Sequence, residues 1–369
     1  MDFSNGMRLA LAEARRALGP CHSNPAVGAI VEHGGEVVAR GFTQPPGGAH
    51  AEVMALRAFR ETGLTPDEST TLFVTLEPCS THGRTPPCTD AIQASGIRRV
   101  VVGATDPNPA HGGRGFELLR EHGIEVITDV LAAECAELNL VFHHWIARVQ
   151  PLLAAKIATT LDGKVATRSG HSQWITGPEA RQDVARWRRA FPAIGVGGGT
   201  VVADDPSLTA RVDGEPLWCP RRLIFDRRGL ALSKPDAQVF SDAFAERTIY
   251  LTSKAHLDAV PNSWRDRGVE IWEAPRPEML REELLAAGIT GLYLEGGARL
   301  LSDLLAARQL DYLFAYRAPK WLGDELAPGP FAGLPSSTMD AAYYLVNPVT
   351  EHFGVDQMVR GWIQYPSQS

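Results

Sequence analysis

Four residues in the first quarter of the chain have types and spacing suited to one reaction. His50 and Glu52 stand two apart in His50-Ala51-Glu52, Cys79 follows Pro78, and Cys88 comes nine residues later. An imidazole and two thiolates suit Zn²⁺, and three protein ligands leave a fourth position for water. Water held there has its pKa lowered to about 7. A carboxylate two residues from a ligand can then carry a proton to a leaving amine. The expected chemistry is hydrolytic removal of an amine, with His50, Cys79 and Cys88 on the metal and Glu52 as the proton carrier. A structural zinc is the alternative, but it would normally bring a fourth ligand, and neither Cys21 nor Cys135 has ligand spacing to the cluster.

The elements around these residues must bring them together. His50 lies at the start of a helix beginning near Ala49, and Cys88 lies close to the start of the next, over Thr89 to Ala94. Helix N-termini favour thiolate and hydroxide by roughly 0.3–1 kcal/mol each. Residues i and i+2 do not share a helix face, so His50 and Glu52 can converge only in the first turn. The pattern H-x-E…P-C-x-x-C is the signature of zinc nucleobase deaminases. This chain departs from it, with eight residues between the cysteines. That insertion, Ser80 to Pro87, carries His82 and Arg84, groups suited to a phosphate-bearing ligand beside a metal.

Around that site the periodicities predict a helix through Met7, Leu11, Ala14 and Leu18, stopped by Gly19-Pro20. A hairpin follows, Val27 to Glu32 and Glu36 to Arg40, then strands at Thr71 to Leu76, Arg99 to Val102 and Glu125 to Ile127. Helices over Phe116 to Glu121 and, as one long stretch, Leu131 to Ile146 complete a mixed sheet covered by helices. Val149-Gln150-Pro151 is the expected seam, giving domains 1–148 and 149–369. Beyond it, strands at Leu152 to Ile157, Ala193 to Val196, Arg222 to Phe225, Thr248 to Leu251, Gly291 to Leu294 and Tyr312 to Tyr316 alternate with helices, notably Pro178 to Arg189 and Ala298 to Ala307. A second α/β domain is expected.

Composition narrows the class. The 369 residues are 44% hydrophobic and 21% charged, with five cysteines, enough for two cores and unlike a disordered or disulfide-stapled chain. No apolar run approaches the roughly 20 residues that span a bilayer, and the N-terminus has no signal-peptide pattern, so a cytoplasmic protein with no membrane partner is expected. Residues 1–150 hold 12 Arg and no Lys against 17 acids, and residues 151–369 hold 24 cations against 26 acids. Neither part has the basic excess that nucleic acid demands, so a small substrate is expected.

The second half is less explicit. Gly195-Val196-Gly197-Gly198-Gly199-Thr200 has Thr where a dinucleotide fingerprint needs its last Gly or Ala. The glycines suit close approach of backbone to a ligand after the preceding strand, and Glu295-Gly296-Gly297 repeats that arrangement before a helix whose N-terminus can accept phosphate.

Several motifs together carry a family resemblance. Asn24-Pro25-Ala26-Val27-Gly28, His50-Ala51-Glu52, Thr75-Leu76-Glu77-Pro78-Cys79-Ser80, His82-Gly83-Arg84-Thr85-Pro86-Pro87-Cys88 and Asp106-Pro107-Asn108-Pro109 resemble the bifunctional riboflavin-biosynthesis deaminase-reductases. So do Lys156 to Lys164, Ser172 to Thr176, Thr200 to Thr209, Glu295-Gly296-Gly297 and Ala318-Pro319-Lys320. The resemblance implies a cytidine-deaminase-like three-layer α/β/α domain followed by a dihydrofolate-reductase-like α/β domain that uses NADPH. It implies that His50, Cys79 and Cys88 hold zinc, that Glu52 shuttles protons, and that Asn24, His82 and Arg84 face a pyrimidine ribosyl phosphate. In the second domain it implies cofactor contacts from Ala158, Trp174, Thr200, Asp204, Gly296 and Gly297. Substrate contacts would come from Ser172, Arg188, Leu208, Arg211 and Glu295, with Lys156 a further active-site candidate. It also implies a homo-oligomer through the reductase domain. Thr160 stands where the family often has Ser, and nothing specific is legible from about Pro328 onward.

Overall fold

Met7, Ala10, Leu11 and Ala14 form one buried stripe along helix α1 (Ser4–Ala17), and that stripe selects the face laid on the first sheet. The structure, a computed structural model, describes residues 2–82, 86–334 and 338–366 and divides the chain into two units, Met1–Val149 and Gln150–Ser369.

In the first unit, β1 (Gly28–His33) and β2 (Glu36–Phe42) form a hairpin turned at Gly34-Gly35, both at positive φ as a tight two-residue turn requires. Then follow α2 (Ala51–Glu61), β3 (Thr71–Leu76), α3 (Cys88–Ser95), β4 (Arg99–Ala104), α4 (Arg114–Glu121) and β5 (Glu125–Ile127). The sheet order is β2-β1-β3-β4-β5, with β1 antiparallel to both neighbours and β3, β4 and β5 parallel. β3 is buried at every residue, the pattern of a strand covered on both faces. Gly28 and Gly41 let helices approach the hairpin closely. A Cβ on Gly28 would meet the Ala10 carbonyl, and one on Gly41 would lie 2.4 Å from the Ala51 carbonyl oxygen.

One expectation is corrected here. The long helix over Leu131 to Ile146 is two helices, α5 (Ala132–Leu138) and α6 (Leu140–Arg148), parted at Asn139. The Asn139 side chain accepts from the Ala26 amide at 2.7 Å and donates to its carbonyl at 2.9 Å, a long-range bond that competes with helix continuation.

The second unit runs β6 (Leu152–Thr159), α7 (Pro178–Ala190), β7 (Ala193–Gly197), α8 (Gly198–Asp204), β8 (Arg221–Asp226), α9 (Gln238–Ser241), β9 (Thr248–Thr252), α10 (Asn262–Asp266), β10 (Glu270–Glu273), α11 (Leu280–Ala286), β11 (Gly291–Glu295), α12 (Ala298–Ala306), β12 (Tyr312–Arg317), β13 (Tyr344–Phe353) and β14 (Asp356–Gln364). Among the described residues its nine strands follow the order β10-β9-β8-β7-β11-β6-β12-β14-β13, parallel from β10 to β12 and antiparallel at the β14 and β13 edge. Alternate strand residues feed opposite faces. Leu223, Ile249 and Leu251 join one buried cluster, and Ile224 and Tyr250 join the other. Because β6, β7, β8 and β11 are parallel, their C-terminal ends open along one edge, where α/β sheets present ligands.

Candidate active sites

In the first unit the backbone resolves the spacing problem between His50 and Glu52. His50 is the N-cap of α2 with extended dihedrals (φ −74°, ψ 163°), outside the helix, while Glu52 sits in its first turn. Cys88 opens α3. The ligand atoms of His50, Cys79 and Cys88 all lie within 4.8 Å of one another. His50 Nδ1 is 3.2 Å from Cys88 Sγ and 3.5 Å from Cys79 Sγ, and the Cys88 amide donates to Cys79 Sγ at 3.3 Å. A hydrogen bond from the Cys88 thiol pulls the Cys79 thiol down to about 4, against burial and with His50 adding to the effect. That same bond, with burial, pushes the Cys88 thiol up. Glu52 is buried, and loss of solvent lifts its carboxyl from 4.5 to about 7, with the Cys79 charge adding to the rise. One nitrogen and two sulfurs, both cysteines free of disulfides, are a donor set that fits Zn²⁺.

The remaining candidates of this unit are less gathered. Asn24 is half-buried before β1, its amide donating to the Cys21 carbonyl at 2.7 Å. His82 is exposed, and Arg84 lies outside the described residues. Sequence reasoning gave no role to Glu77, which is buried and accepts from the amides of Asp106 (3.1 Å), Gly113 (2.9 Å) and Gly115 (2.9 Å). It ties the Asp106-Pro107-Asn108-Pro109 loop to the strand end that presents Cys79. The available signal was an acid placed two residues before a ligand.

In the second unit Lys156 and Glu295 are partners across the parallel pair β6 and β11. Arg188 on α7 donates to Glu295 through Nε at 2.5 Å and Nη2 at 2.8 Å, and through Nη1 to the Thr209 carbonyl at 3.0 Å. Burial would raise the Glu295 carboxyl, but Arg188 and then Lys156 hold it below the usual carboxylate range. Burial pushes the Lys156 amine down, with Glu295 opposing and Arg188 adding. The geometry thus brings three of the substrate-contact candidates into one charged cluster. Leu208 is buried at φ +56° in the turn whose next carbonyl Arg188 holds, and Arg211 donates to Ser207 Oγ at 3.0 Å. Ser172 is half-buried in the segment before α7.

Of the cofactor candidates, Ala158 lies near the end of β6, Thr200 in α8 just after β7, and Gly296 and Gly297 follow β11 at φ +74° and +81°. The three strands are neighbours, so these positions share one sheet edge. Asp204 ends α8 and is exposed. Trp174 is 64% exposed, with the Arg181 guanidinium 4.7 Å from its ring centroid and its carbonyl accepting from Lys320 Nζ at 3.0 Å. A cavity of about 310 Å³ opens at this edge, lined by Gly197 to Thr200 and Gly297 and continuing over Phe225 to Arg228 and Arg299. Its size, its glycine rim and its cations fit part of a dinucleotide. The Arg227, Arg228 and Arg299 contribution went unread in the sequence, because cations after a strand are usually solvated.

Residues 2–104 match the model of the cytidine and deoxycytidylate deaminase zinc-binding region, and residues 151–349 match that of the RibD C-terminal domain. The riboflavin biosynthesis protein RibD of Actinobacillus pleuropneumoniae is 38% identical over 358 residues, 95% of this chain and 92% of that protein. The RibD of Aquifex aeolicus is 40% identical, covering 88% of this chain and 89% of its own. The chain belongs to the RibD family. A Thermotoga maritima structure described as a diaminohydroxyphosphoribosylaminopyrimidine deaminase/5-amino-6-(5-phosphoribosylamino)uracil reductase superposes with TM-score 0.80 at 35% identity, over 99% of both chains. Like the RibD family, this protein is a bifunctional deaminase and reductase of riboflavin biosynthesis, with Zn²⁺ and NADPH as its cofactors. Its fold is a cytidine-deaminase-like unit followed by a RibD reductase unit. Among the described residues no helix is long and apolar enough to cross a membrane.

Proposed function

We propose that residues 1–148 deaminate 2,5-diamino-6-ribosylamino-4(3H)-pyrimidinone 5′-phosphate and that residues 149–369 reduce its ribosyl chain, giving 5-amino-6-ribitylaminouracil 5′-phosphate. His50, Cys79 and Cys88 would hold zinc, and Ala158, Trp174, Thr200, Asp204, Gly296 and Gly297 would hold NADPH. When bound, the metal supplies a water of lowered pKa and the dinucleotide supplies a hydride.

Glu52 takes a proton from the attacking water and returns it to the departing nitrogen, which leaves as ammonia. Its burial fits a carboxyl able to hold and release a proton near neutral pH. Asn24, His82 and Arg84 orient the pyrimidine and its phosphate. In the second unit a closed furanose has no electrophilic carbon, so the ring must first open to an aldehyde or imine at C1. Arg188 and Glu295 hold the sugar, Lys156 lies beside them, Ser172 and the Leu208 backbone line the chain, and Arg211 faces the phosphate.

The observation that carries this reading is the meeting of the three ligand atoms within 4.8 Å beside a buried Glu52. The test is mass spectrometry of products from the diaminopyrimidine substrate with and without NADPH. The expected products are the deaminated ribosyl compound alone without cofactor and the ribityl compound with it. A reduced but undeaminated product would overturn the order of steps.

A cytosolic homo-oligomer joined through the second unit belongs to the same reading. Support comes from the sheet edge, where β13 leaves Tyr344, Val346 and Val349 exposed. Light scattering of the pure protein checks it, and a monomer at micromolar concentration would remove it.

A further inference from the structure

We propose that Ser207 is a positioning residue of the second unit, its hydroxyl aiming the Arg211 guanidinium at the phosphate of the ribosyl substrate. The inference rests on reading Arg211 as the group that faces that phosphate. Arg211 is exposed, and a long side chain in water samples many rotamers. Holding it in one place before binding spares the entropy that its contact with phosphate would otherwise have to offset. Arg211 Nη2 donates to Ser207 Oγ at 3.0 Å, four residues back. Ser207 Oγ also lies 3.0 Å from Thr209 Oγ1, and Thr209 is buried. Because Ser207 Oγ accepts from Arg211, its own proton is left for Thr209. The bond occupies one edge of the guanidinium and leaves most of its N–H donors for phosphate oxygens.

A pivot must itself be fixed, and the turn around Ser207 is held from both sides. Arg222 on β8 is fully buried. It donates to Thr248 Oγ1 at 2.9 Å, to the two Asp242 carboxylate oxygens at 2.8 and 2.9 Å, and to the Val239 and Phe244 carbonyls at 2.9 and 2.7 Å. So anchored, its Nη1 also reaches the Ser207 carbonyl at 3.1 Å. Two residues on, Arg188 Nη1 donates to the Thr209 carbonyl at 3.0 Å while its Nε and Nη2 hold Glu295. Between these posts Leu208 sits at φ +56°, a conformation that residues other than glycine seldom adopt, and its side chain joins the buried cluster of Ile194, Val196 and Phe240. Two guanidiniums on the flanking carbonyls keep the chain in that shape. Arg188 thereby couples the turn to Glu295 at the sugar, and Ser207 carries the same rigid frame out to Arg211 at the phosphate.

The test follows NADPH oxidation by the full-length protein with the deaminated ribosyl substrate and with its phosphate-free form. Wild type is compared with Ser207→Ala, Ser207→Thr, Arg211→Ala and the double alanine variant, each checked by thermal melting. Ser207→Ala is expected to raise KM for the phosphorylated substrate about fivefold with kcat within about twofold, the mark of binding lost equally from ground and transition states. With the phosphate-free substrate that difference should vanish. Ser207→Thr keeps a hydroxyl and should recover most of the wild-type KM. Adding Ser207→Ala to Arg211→Ala should change KM no further, because the two act through one contact. A loss of kcat alone, an equal loss with both substrates, or full additivity of the two alanine substitutions overturns the proposal. Arg211→Ala separates that failure from a wrong reading of the site. If it weakens both substrates alike, Arg211 does not face the phosphate and the underlying reading falls. If it weakens only the phosphorylated substrate while Ser207→Ala changes nothing, the pivot alone falls.

Discussion

At the residue scale, both sites depend on charged groups denied water. Glu52 is 4% exposed, and the task proposed for it requires a carboxyl that exchanges a proton. Glu52→Gln keeps the volume and removes the exchange. Ammonia release should fall by at least about 100-fold, while NADPH oxidation with the purified deaminated intermediate stays near wild type. Deamination persisting in that variant would show that another group moves the proton. Glu295 shows the opposite balance. Arg188 holds it ionised, so the pair adds stability that is fully present above the ordinary carboxyl value of 4.5 and is lost as pH falls through the depressed folded value. Arg188→Met should cost about 2 kcal/mol near neutral pH, less than a fully buried pair because the arginine side chain keeps 23% exposure. In urea unfolding from pH 7 to 3 the gap to wild type should narrow as the solution is acidified. A gap independent of pH would show that Arg188 matters only for packing.

At the element scale, what positions the first site is how closely a helix lies on a hairpin. Helix α2 carries His50 at its cap and Glu52 in its first turn, and it touches β2 at Gly41, where an added Cβ would also lie 2.4 Å from the Ala55 amide. Gly41→Ala should therefore push α2 outward, cost about 1–3 kcal/mol, and lower deamination with the reductase rate unchanged. Thermal melting with separate assays of the two activities checks this, and equal loss in both would place the effect in global stability. Some elements were legible without the structure. β3 and β5 have the bounds the periodicity predicts, because a buried strand is a short apolar run between turn residues. β10, β13 and β14 were not: the edge strands β10, Glu-Ile-Trp-Glu, and β13, exposed along most of its length, face water and carry no such run, and β14, paired between β12 and β13, alternates apolar residues with polar ones. The break at Asn139 was hidden for another reason, its partner Ala26 being 113 residues away.

At the scale of the whole molecule, the two units hold separate hydrophobic clusters among the described residues, one within residues 1–149 and two within residues 150–369. Metal removal should act on one of them. Stripping zinc with a chelator is expected to stop ammonia release and to lower the melting of the first unit, because the proposed ligands join the cap of α2, the segment after β3 and the start of α3. Hydride transfer to the deaminated intermediate should continue, and the second melting transition should stay where it was. Full-rate ammonia release from metal-free protein would end the zinc assignment.

The sequence alone determined the chemistry of the first site. Imidazole and thiolate ligands are few residue types, each lies at the mouth of a local element, and a helix cap needs no distant partner to place it. It also determined the two-unit α/β plan, because apolar period and turn residues are local properties. Tertiary structure alone decided how the candidates of the second site meet. Lys156, Arg188 and Glu295 are spread over 140 residues and meet only because β11 inserts between β7 and β6 and α7 packs on that sheet. The same holds for the arginine-lined recess, whose walls come from strands brought side by side by parallel pairing. Such pairing is set by which buried faces fit together, and no stretch of neighbouring residues records it.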